Sequence, residues 1–552
     1  MGFLPGTRVN NKMKASDVDF ASLIEELTDI GVALSAEKDH SRLLEMILRK
    51  AKELTGADGG TLYTRTKDNR LRFEIMITES LDIYKGGSSG EEITFYPISL
   101  YDEKGKPNNH MVAAWAAISG QTVNIEDAYT NTDFDFSGTR SFDQKTGYRS
   151  KSFLTVPMRN HEHAIIGVLQ LINAIDRHTG EVVPFSALDQ KLVESLASQA
   201  AVTLTNRSLI DAQKALFDSF IQLIADAIDE KSPYTAGHCR RVPVITSMLA
   251  DAACRIDRGP LKSFNMTDTE KYELEVAAWL HDCGKITTPE YVVDKGTKLE
   301  TIYDRIGLVD TRFEVLRRDA VIETLRRRLR DLNGDADLDN DEELKEKLRK
   351  IESDREYIRD CNTGGEFITR EQIARIDDIA ERLWINPDGE RENFLSNEEK
   401  QNLKIGRGTL TVREREIINN HVAVTIKMLK SLPYPEHLRR VPEYAGGHHE
   451  KMNGTGYPNG LTREQMSIPA RMVAIADVFE ALTASDRPYK KAMSLSEALT
   501  ILGQMKLDGH IDPDLFDVFM QERIYLKYAN EYLEPEHIDK VDPGRIPGYN
   551  PL

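Results

Sequence analysis

The side chains best able to do chemistry are five histidines and two aspartates in the second half of the chain. They are His238, His281, Asp282, His421, His448, His449 and Asp477. Asp477 interrupts an apolar helical run and His281-Asp282 ends another, so both carboxylates are expected in buried places, where an unpaired charge is costly. Imidazole and carboxylate ligands suit Fe, Mn, Zn or Ni better than Mg or Ca. Seven such ligands are too many for one ion, so the sequence predicts two metals.

Two motifs around these side chains resemble a known family. The run His281-Asp282-Cys283-Gly284-Lys285 has the signature of an HD domain. Residues 448–461 resemble the HHExxDGxGYPxGL motif of HD-GYP domains, and Asp477 and the segments around His238 and Arg487 extend the resemblance. It covers about residues 225–300 and 410–525.

HD-GYP domains are all-helical phosphodiesterases that hydrolyse cyclic di-GMP at a dinuclear or trinuclear metal centre, often of iron. The resemblance therefore implies a metal-dependent phosphodiesterase that converts cyclic di-GMP to linear pGpG, to GMP or to both. It also implies two divalent transition metals, with iron as the first choice and manganese as the alternative.

The resemblance implies a role for each matching residue. The metal ligands would be His238, His281, Asp282, His421, His448, His449 and Asp477. Asp282 would bridge the two ions and, together with Lys285, serve catalysis. The implied substrate-binding residues are Lys285, Gly454, Tyr457, Arg487 and Lys490.

The sequence departs from the family pattern at three places. Asn453 replaces the usual Asp, and residues 233–235 lack the Glu that holds a third metal in some members, so we expect two ions. His281 and His421 are 421 − 281 = 140 positions apart, which is far more than the family usually has. Residues 301–408 are therefore predicted to be an insertion. Its two charged, helical runs indicate a helical hairpin.

The first 200 residues show two helical runs, then strand-like runs, then a long helix. The strand-like runs are residues 61–64, 71–77, 122–124, 153–158 and 164–173, and the long helix extends from about 186 to 228. This order predicts an α+β module. About residues 20–205 resemble a GAF domain, with the best local support at 153–158 and 167–173.

GAF domains that bind cyclic nucleotides carry an Asn-Lys…Phe…Asp-Glu signature. The matching positions here are Asn173, Ala174, Phe185, Asp189 and Gln190, so two of the five depart. Asn173, Phe185 and Asp189 are candidates for contact with an unidentified small ligand. The alternative is that Phe185 is a core residue and Asn173 caps a turn.

The long helix is apolar at helical spacing and has no internal breaker. Helices longer than about 25 residues without internal caps are typical of coiled coils and signalling linkers. We therefore expect a parallel homodimer through this helix, with the helix packed on its own domain as the alternative.

Composition excludes several classes of protein. The formal charge is 72 − 90 = −18, which argues against binding to a nucleic-acid polymer or to an anionic membrane surface. No apolar run approaches the roughly 18 residues needed to span a bilayer. The four cysteines are scattered without a CxxC pair, so we expect reduced thiols and a cytoplasmic protein.

The predicted fold is multidomain, with an α+β GAF sensor domain followed by an all-α HD-GYP domain that carries a helical insertion. The predicted parts are a mobile tail (1–16), the GAF domain (17–205), a helical signalling linker (206–230), the phosphodiesterase domain (231–530, with the insertion at 301–408) and a C-terminal tail (531–552). Two other functions stay open. One is hydrolysis of another cyclic dinucleotide such as cyclic GMP-AMP, and the other is a non-catalytic cyclic-dinucleotide receptor.

Overall fold

A computed structural model describes residues 15–231, 237–330, 341–364, 367–484 and 493–550. The chain divides into two compact units, Met1–Leu216 and Phe217–Leu552. The boundary falls inside the segment predicted as a separate linker, so the end of that helix belongs to the second unit. Among the described helices, none is both long enough and apolar enough to cross a bilayer.

The first unit mixes strands with helices, whereas the described part of the second is helical apart from one short hairpin. The helices are α1 (Ala15–Ala36), α2 (His40–Thr55), α3 (Val112–Ser119), α4 (Ser137–Thr146), α5 (Ala187–Lys231), α6 (His238–Arg255), α7 (Asp268–Leu280), α8 (Glu290–Val293), α9 (Ile306–Arg330), α10 (Glu342–Asn362), α11 (Arg370–Ala380), α12 (Asn397–Leu403), α13 (Val412–Lys430), α14 (Val441–Gly446), α15 (Ile468–Thr483), α16 (Leu495–Leu507), α17 (Pro513–Gln521) and α18 (Ile524–Tyr532). The strands are β1 (Ala57–Arg65), β2 (Arg70–Thr78), β3 (Ile83–Gly86), β4 (Ile98–Ser99), β5 (Val123–Ile125), β6 (Phe153–Arg159), β7 (Ile165–Ile175), β8 (Val182–Val183), β9 (Leu383–Ile385) and β10 (Arg391–Asn393).

The sheet of the first unit is antiparallel and has the strand order β3-β2-β1-β7-β6-β5, with β4 beside β2 and β8 beside β7. Its central pair is β1 and β7, in which Leu62 lies opposite Leu169. All five predicted strand runs overlap strands of this sheet. The strands that the sequence did not predict, β3, β4 and β8, have four residues or fewer, too few to show a period.

The helices pack on the sheet through buried apolar side chains. Gly56 follows α2 in the left-handed conformation (φ 64°) that favours glycine and turns the chain into β1. Leu48 on α2, Leu171 on β7 and Leu196 on α5 are buried together in the core of this unit. The predicted α+β architecture is confirmed.

Asn173 is buried at a positive φ of 57° in β7. Its side-chain oxygen accepts hydrogen bonds from the backbone N–H groups of Lys151 (2.7 Å) and Ser152 (3.3 Å). Its amide nitrogen donates to the carbonyl of Arg149 (2.8 Å). The side chain therefore serves the backbone of the segment that leads into β6.

The other two GAF candidates also have structural partners. Phe185 is buried in the core of the first unit. The Asp189 carboxylate, in the first turn of α5, accepts a hydrogen bond from the backbone N–H of Ser186 (2.7 Å). These contacts support the alternative in which Phe185 is core and Asn173 caps a turn, and a ligand contact through the three residues stays a prediction.

Replacing Asn173 should weaken the sheet. Asn173→Ala leaves buried backbone groups without their hydrogen-bond partner and places alanine at a positive φ. We therefore expect a loss of about 2–4 kcal/mol in the stability of this unit. Hydrogen exchange followed by mass spectrometry should show exchange in β6 and β7 at least about 30-fold faster.

The matched control is Asn69→Ala, because Asn69 has a similar φ of 58° but lies exposed in the turn between β1 and β2. We expect that variant to change exchange in β6 and β7 by less than about threefold. Equal effects of the two substitutions would contradict the capping role of Asn173.

The second unit has one large apolar core. Leu249 on α6, Ala277 on α7 and Ile475 on α15 are fully buried in it. Ile546 is buried in the same cluster, so the segment predicted as a C-terminal tail packs on the helices.

Residues between α8 and α13 form a subsidiary layer with a core of their own, which includes Phe313 and Ile358. Salt bridges Arg328–Asp341 and Arg359–Asp310, both 2.7 Å, join α9 and α10 side by side in opposite directions. They form the helical hairpin expected of the insertion. The sequence did not predict the hairpin of β9 and β10, whose strands have three residues each.

Candidate metal centre

Five separate segments of the second unit deliver the seven predicted ligands to one place. His238 is the first residue of α6, and His281 and Asp282 follow α7 directly. The others lie within α13 (His421), after α14 (His448, His449) and within α15 (Asp477). His281 is fully buried, Asp282, His421 and His448 are about 2% exposed, and Asp477 is 8% exposed.

Three of these side chains form a first group around one oxygen of Asp282. Its Oδ2 lies 3.5 Å from His238 Nε2 and 3.4 Å from His281 Nε2. The two imidazole nitrogens are 3.3 Å apart. Asp477 Oδ1 completes the group at 3.2 Å from His238 Nε2 and 3.8 Å from His281 Nε2.

A second group faces the other oxygen of the same carboxylate. Asp282 Oδ1 lies 3.2 Å from His421 Nε2 and 3.8 Å from His448 Nε2. The ligand atoms of His421, His448 and His449 all lie within 4.8 Å of one another. Asp282 thus borders both groups, one with each of its oxygens.

Three buried polar atoms of the second group have no hydrogen-bond partner among the residues that the structure describes. They are Asp282 Oδ1, His421 Nε2 and His448 Nε2. Each such atom costs about 1–3 kcal/mol when left unsatisfied, and these three converge on one point. Imidazole nitrogens and carboxylate oxygens in this arrangement fit divalent transition metals, one in each group.

The backbone fixes which nitrogen of each ring faces inward. Nδ1 of His281, of His421 and of His448 lies 2.5–2.7 Å from the carbonyl oxygen three residues earlier. An Nδ1–H that donates to a carbonyl leaves Nε2 as the free lone pair. The ring of His238 is oriented by a carboxylate instead of a carbonyl, since its Nδ1 is hydrogen-bonded to Glu480. Glu480 also accepts a hydrogen bond from Arg241 (2.6 Å).

The protonation states of these side chains decide which of them can bind a metal ion without losing a proton. Burial opposes ionisation of Asp282, but Lys285 and His281 hold its pKa well below the usual range. Burial lowers the pKa of His448 well below its usual value and that of His449 to about 4, so both rings are neutral near pH 7. Burial opposes protonation of His281, yet Asp282 raises its pKa to about 9, so this ring must release a proton to become a ligand.

Gly284 lets the turn after Asp282 lie against α13. Its backbone N–H donates to Thr425 Oγ1 (2.9 Å). A Cβ at this position would lie 2.0 Å from the carbonyl oxygen of His421, which no side chain tolerates. The absence of a side chain at residue 284 therefore sets the distance between Asp282 and His421.

The loop after His449 covers the second group. The buried Glu450 carboxylate accepts hydrogen bonds from the backbone N–H groups of Asn459 (2.7 Å) and Leu461 (2.9 Å) and so holds the loop closed. The Tyr457 ring stacks on His449, with centroids 4.9 Å apart and planes at 25°. Gly454 turns the loop at a φ of 77°.

Lys285, predicted as a catalytic and substrate-binding residue, lies beside the centre. Its ammonium is 2.5 Å from Asp282 Oδ2, and 21% of its side chain is exposed. Arg487 and Lys490, the other predicted substrate contacts, fall outside the described residues.

The sequence did not assign roles to Glu480, Arg241 or Glu450. Glu480 lies three residues after Asp477 on α15, and that spacing puts both on one helix face. A second carboxylate on the same helix face as the predicted ligand Asp477 was the signal that could have identified Glu480. For Glu450 the contacts depend on the path of the loop, which no periodic pattern reveals.

Comparison with known families agrees with this fold. Residues 39–204 match the GAF domain family, and residues 398–515 match the HD domain family. The chain therefore carries a GAF domain followed by an HD domain. The HD match includes four of the seven ligands, and the remaining three precede α9 in the sequence.

Several characterised proteins are similar over parts of this chain. A 3'3'-cGAMP-specific phosphodiesterase 3 of Vibrio cholerae is 24% identical over 365 residues, covering 64% of this chain and 52% of that protein. A 3'3'-cGAMP-specific phosphodiesterase 1 of the same organism is 46% identical over 81 residues (15% and 19%). A cyclic di-GMP phosphodiesterase of Pseudomonas aeruginosa is 40% identical over 114 residues (21% and 26%). The chain spans about half or less of the length of these relatives.

Gly284→Ala should separate the two ligand groups. Because the added methyl group collides with the α13 backbone, we expect the affinity for Mn²⁺ to fall at least about tenfold while the protein remains helical. Calorimetric titration of metal-stripped protein measures the affinity, and circular dichroism checks the fold.

Gly307→Ala is the control, because nothing lies within 4 Å of a Cβ at that position on α9. We expect it to bind Mn²⁺ like the unsubstituted protein. Unchanged affinity in Gly284→Ala would show that the close approach of this turn to α13 does not shape the site.

Proposed function

We propose that this protein is a metal-dependent phosphodiesterase that hydrolyses cyclic di-GMP to linear pGpG, to GMP or to both. The observation that carries the proposal is the geometry around Asp282, whose two oxygens border two separate groups of metal-ligand side chains. The HD domain and the names of the relatives support this class of reaction.

The proposed metal sites divide the seven ligands. One ion would be held by His238, His281, Asp282 and Asp477, and the other by Asp282, His421, His448 and His449. Two bound divalent cations, with iron preferred and manganese as the alternative, would polarise the phosphate and lower the pKa of water.

The remaining side chains orient and offset charge. Lys285 presents a partly exposed ammonium next to Asp282, where it is placed to face a phosphate oxygen of the substrate. Tyr457, whose ring stacks on His449 at the second group, is the proposed contact for a nucleotide base. Gly454 shapes the loop that presents Tyr457, and Arg487 and Lys490 remain proposed phosphate contacts.

The names of the relatives favour two substrates. Two matched relatives are 3'3'-cGAMP-specific, and a third acts on cyclic di-GMP. Hydrolysis of 3'3'-cGAMP is therefore the second candidate function, and rates on both compounds decide between them.

We also propose that the GAF domain controls this activity and that α5 forms a homodimer. Leu209, Leu216 and Leu223 repeat every seven residues along α5 and are 57–62% exposed. Heptad spacing of exposed apolar side chains is typical of a coiled-coil seam. The four cysteines are unpaired, which supports a reducing cytoplasmic location.

Removing a shared or buried ligand should abolish hydrolysis. We expect Asp282→Ala and His281→Ala to lower kcat on cyclic di-GMP or 3'3'-cGAMP at least about 1,000-fold, since the proposed positions for both the water and the phosphate depend on them. Product chromatography on anaerobically purified protein measures the rates.

His437→Ala is the matched control, because His437 is an exposed histidine in the same unit. It should retain full activity. Substantial hydrolysis by Asp282→Ala would refute the proposed enzyme, and metal-loaded protein that binds either dinucleotide without forming product would identify a receptor.

A further inference from the structure

The last turns of α5 are part of the second unit, which contains the candidate metal centre. Ile221, Ala225 and Ile228 are buried in its main core. Asp218 accepts a hydrogen bond from the Tyr272 hydroxyl (2.5 Å) on α7, the helix that leads to His281. This part of α5 therefore packs as one of the core helices of the second unit.

Asp229 on α5 holds the beginning of α6. Its Oδ2 accepts a hydrogen bond from the backbone N–H of Gly237 (3.0 Å), and its Oδ1 accepts one from that of Cys239 (3.4 Å). The first amides of a helix have no partner within the helix, and a glycine N-cap offers no side chain. Asp229, only 7% exposed, supplies the missing acceptor on both sides of the metal ligand His238.

Lys231, the last residue of α5, holds the turn after Asp282. Its ammonium donates hydrogen bonds to the carbonyl oxygens of Lys285 (3.1 Å) and Ile286 (2.5 Å). These carbonyls belong to the 3-10 helix Cys283–Thr287 that directly follows the shared carboxylate. A charged donor on a carbonyl makes one of the stronger hydrogen bonds in proteins.

Asp229 and Lys231, the two anchors, lie two residues apart and hold two segments that supply side chains to the same ligand group. Asp229 fixes the segment of His238, and Lys231 fixes the segment of Asp282 and Lys285. His238 Nε2 and Asp282 Oδ2 are 3.5 Å apart, so a small displacement of either segment changes the group. An error of about 1 Å in such a site can cost about 100-fold in rate.

We propose that Asp229 and Lys231 are positioning residues that join the end of α5 to both halves of the first ligand group. Both contact backbone groups beside the ligands: Asp229 accepts from N–H groups, and Lys231 donates to carbonyl oxygens. Any displacement of the end of α5 then moves His238 and Asp282 relative to each other. The consequence for catalysis depends on the proposed phosphodiesterase activity, whereas the consequence for metal binding does not.

Isosteric substitutions test the proposal in the full-length protein. Lys231→Met keeps the length of the side chain and removes the donor, and Asp229→Asn keeps the shape and places an NH₂ group against one of the two amides. We expect each to lower Mn²⁺ affinity about tenfold and kcat about tenfold or more, with KM within about twofold. Calorimetric titration of metal-stripped protein gives the affinity.

Lys231→Arg is the rescue variant, because a guanidinium can donate to both carbonyls. It should keep at least about half of the metal affinity and of kcat. Affinities are measured below the unfolding transition of each variant, so a purely structural role would lower Tm and leave Mn²⁺ binding unchanged.

Two neighbouring acids serve as matched controls. Asp226 pairs with Arg240 at 2.8 Å, also joining α5 to α6, but within the described part of the chain it accepts no hydrogen bond from a backbone group beside a ligand. Glu230 is exposed between the two anchors. Asp226→Asn and Glu230→Gln should bind Mn²⁺ within about twofold of the unsubstituted protein.

Normal Mn²⁺ affinity in both Lys231→Met and Asp229→Asn would overturn the proposal, as would equal losses in the two control variants. If the unsubstituted protein hydrolyses no cyclic dinucleotide, the proposed function fails, and the Mn²⁺ affinities still decide the role of the two anchors.

Discussion

The buried carboxylate of Asp282 is the constraint around which the second unit is arranged. A charge removed from water is costly unless opposite charges or a metal compensate it. Here Lys285 lies against one oxygen, and imidazoles approach both. The imidazoles that approach this carboxylate come from α6 and α13 and from the segments that follow α7 and α14, so these elements must pack together for the carboxylate to be stable.

Close packing of backbone is what brings these segments together. Gly284 admits α13 to contact distance, and the inner rings are oriented by carbonyls of their own helices or turns. Glu480 orients the remaining ring of His238 and is itself bound by Arg241. Because such partners orient four of the five proposed histidine ligands, the fold itself holds these rings in place.

The separation of the ligands in sequence has a structural consequence. Three ligands precede the layer of α9–α12 and four follow it, so this layer lies between two halves of one site along the chain. It has its own apolar core, with Phe313 and Ile358 fully buried, and does not interrupt the packing of the turn after Asp282 on α13. Self-contained insertions of this kind are tolerated because loop closure costs little with increasing length.

Much of this arrangement could be read from the sequence because the motifs combine rare residue types with helical periodicity. His281-Asp282 after an apolar run and Asp477 within one both predict buried charges that need a partner, and the structure places them together. The long helix α5 was predictable from apolar residues at helical spacing, and the five main strands from short strand-like runs.

Other features depend on contacts between distant segments. Nothing in the local pattern indicates that Glu480 meets His238, that Asp229 accepts hydrogen bonds from the first amides of α6, or that β9 and β10 pair over three residues. Hydrogen bonds to backbone groups depend on the path of both chains, and single charged residues on a helix surface are common. These positions become informative only once the packing is known.

The central claim is that one carboxylate serves two metal sites, and anomalous X-ray diffraction from crystals of the metal-loaded protein tests it most directly. The account predicts two anomalous peaks, one beside Asp282 Oδ2 near His238 and His281, and one beside Asp282 Oδ1 near His421 and His448. A single peak, or peaks away from Asp282, would contradict it.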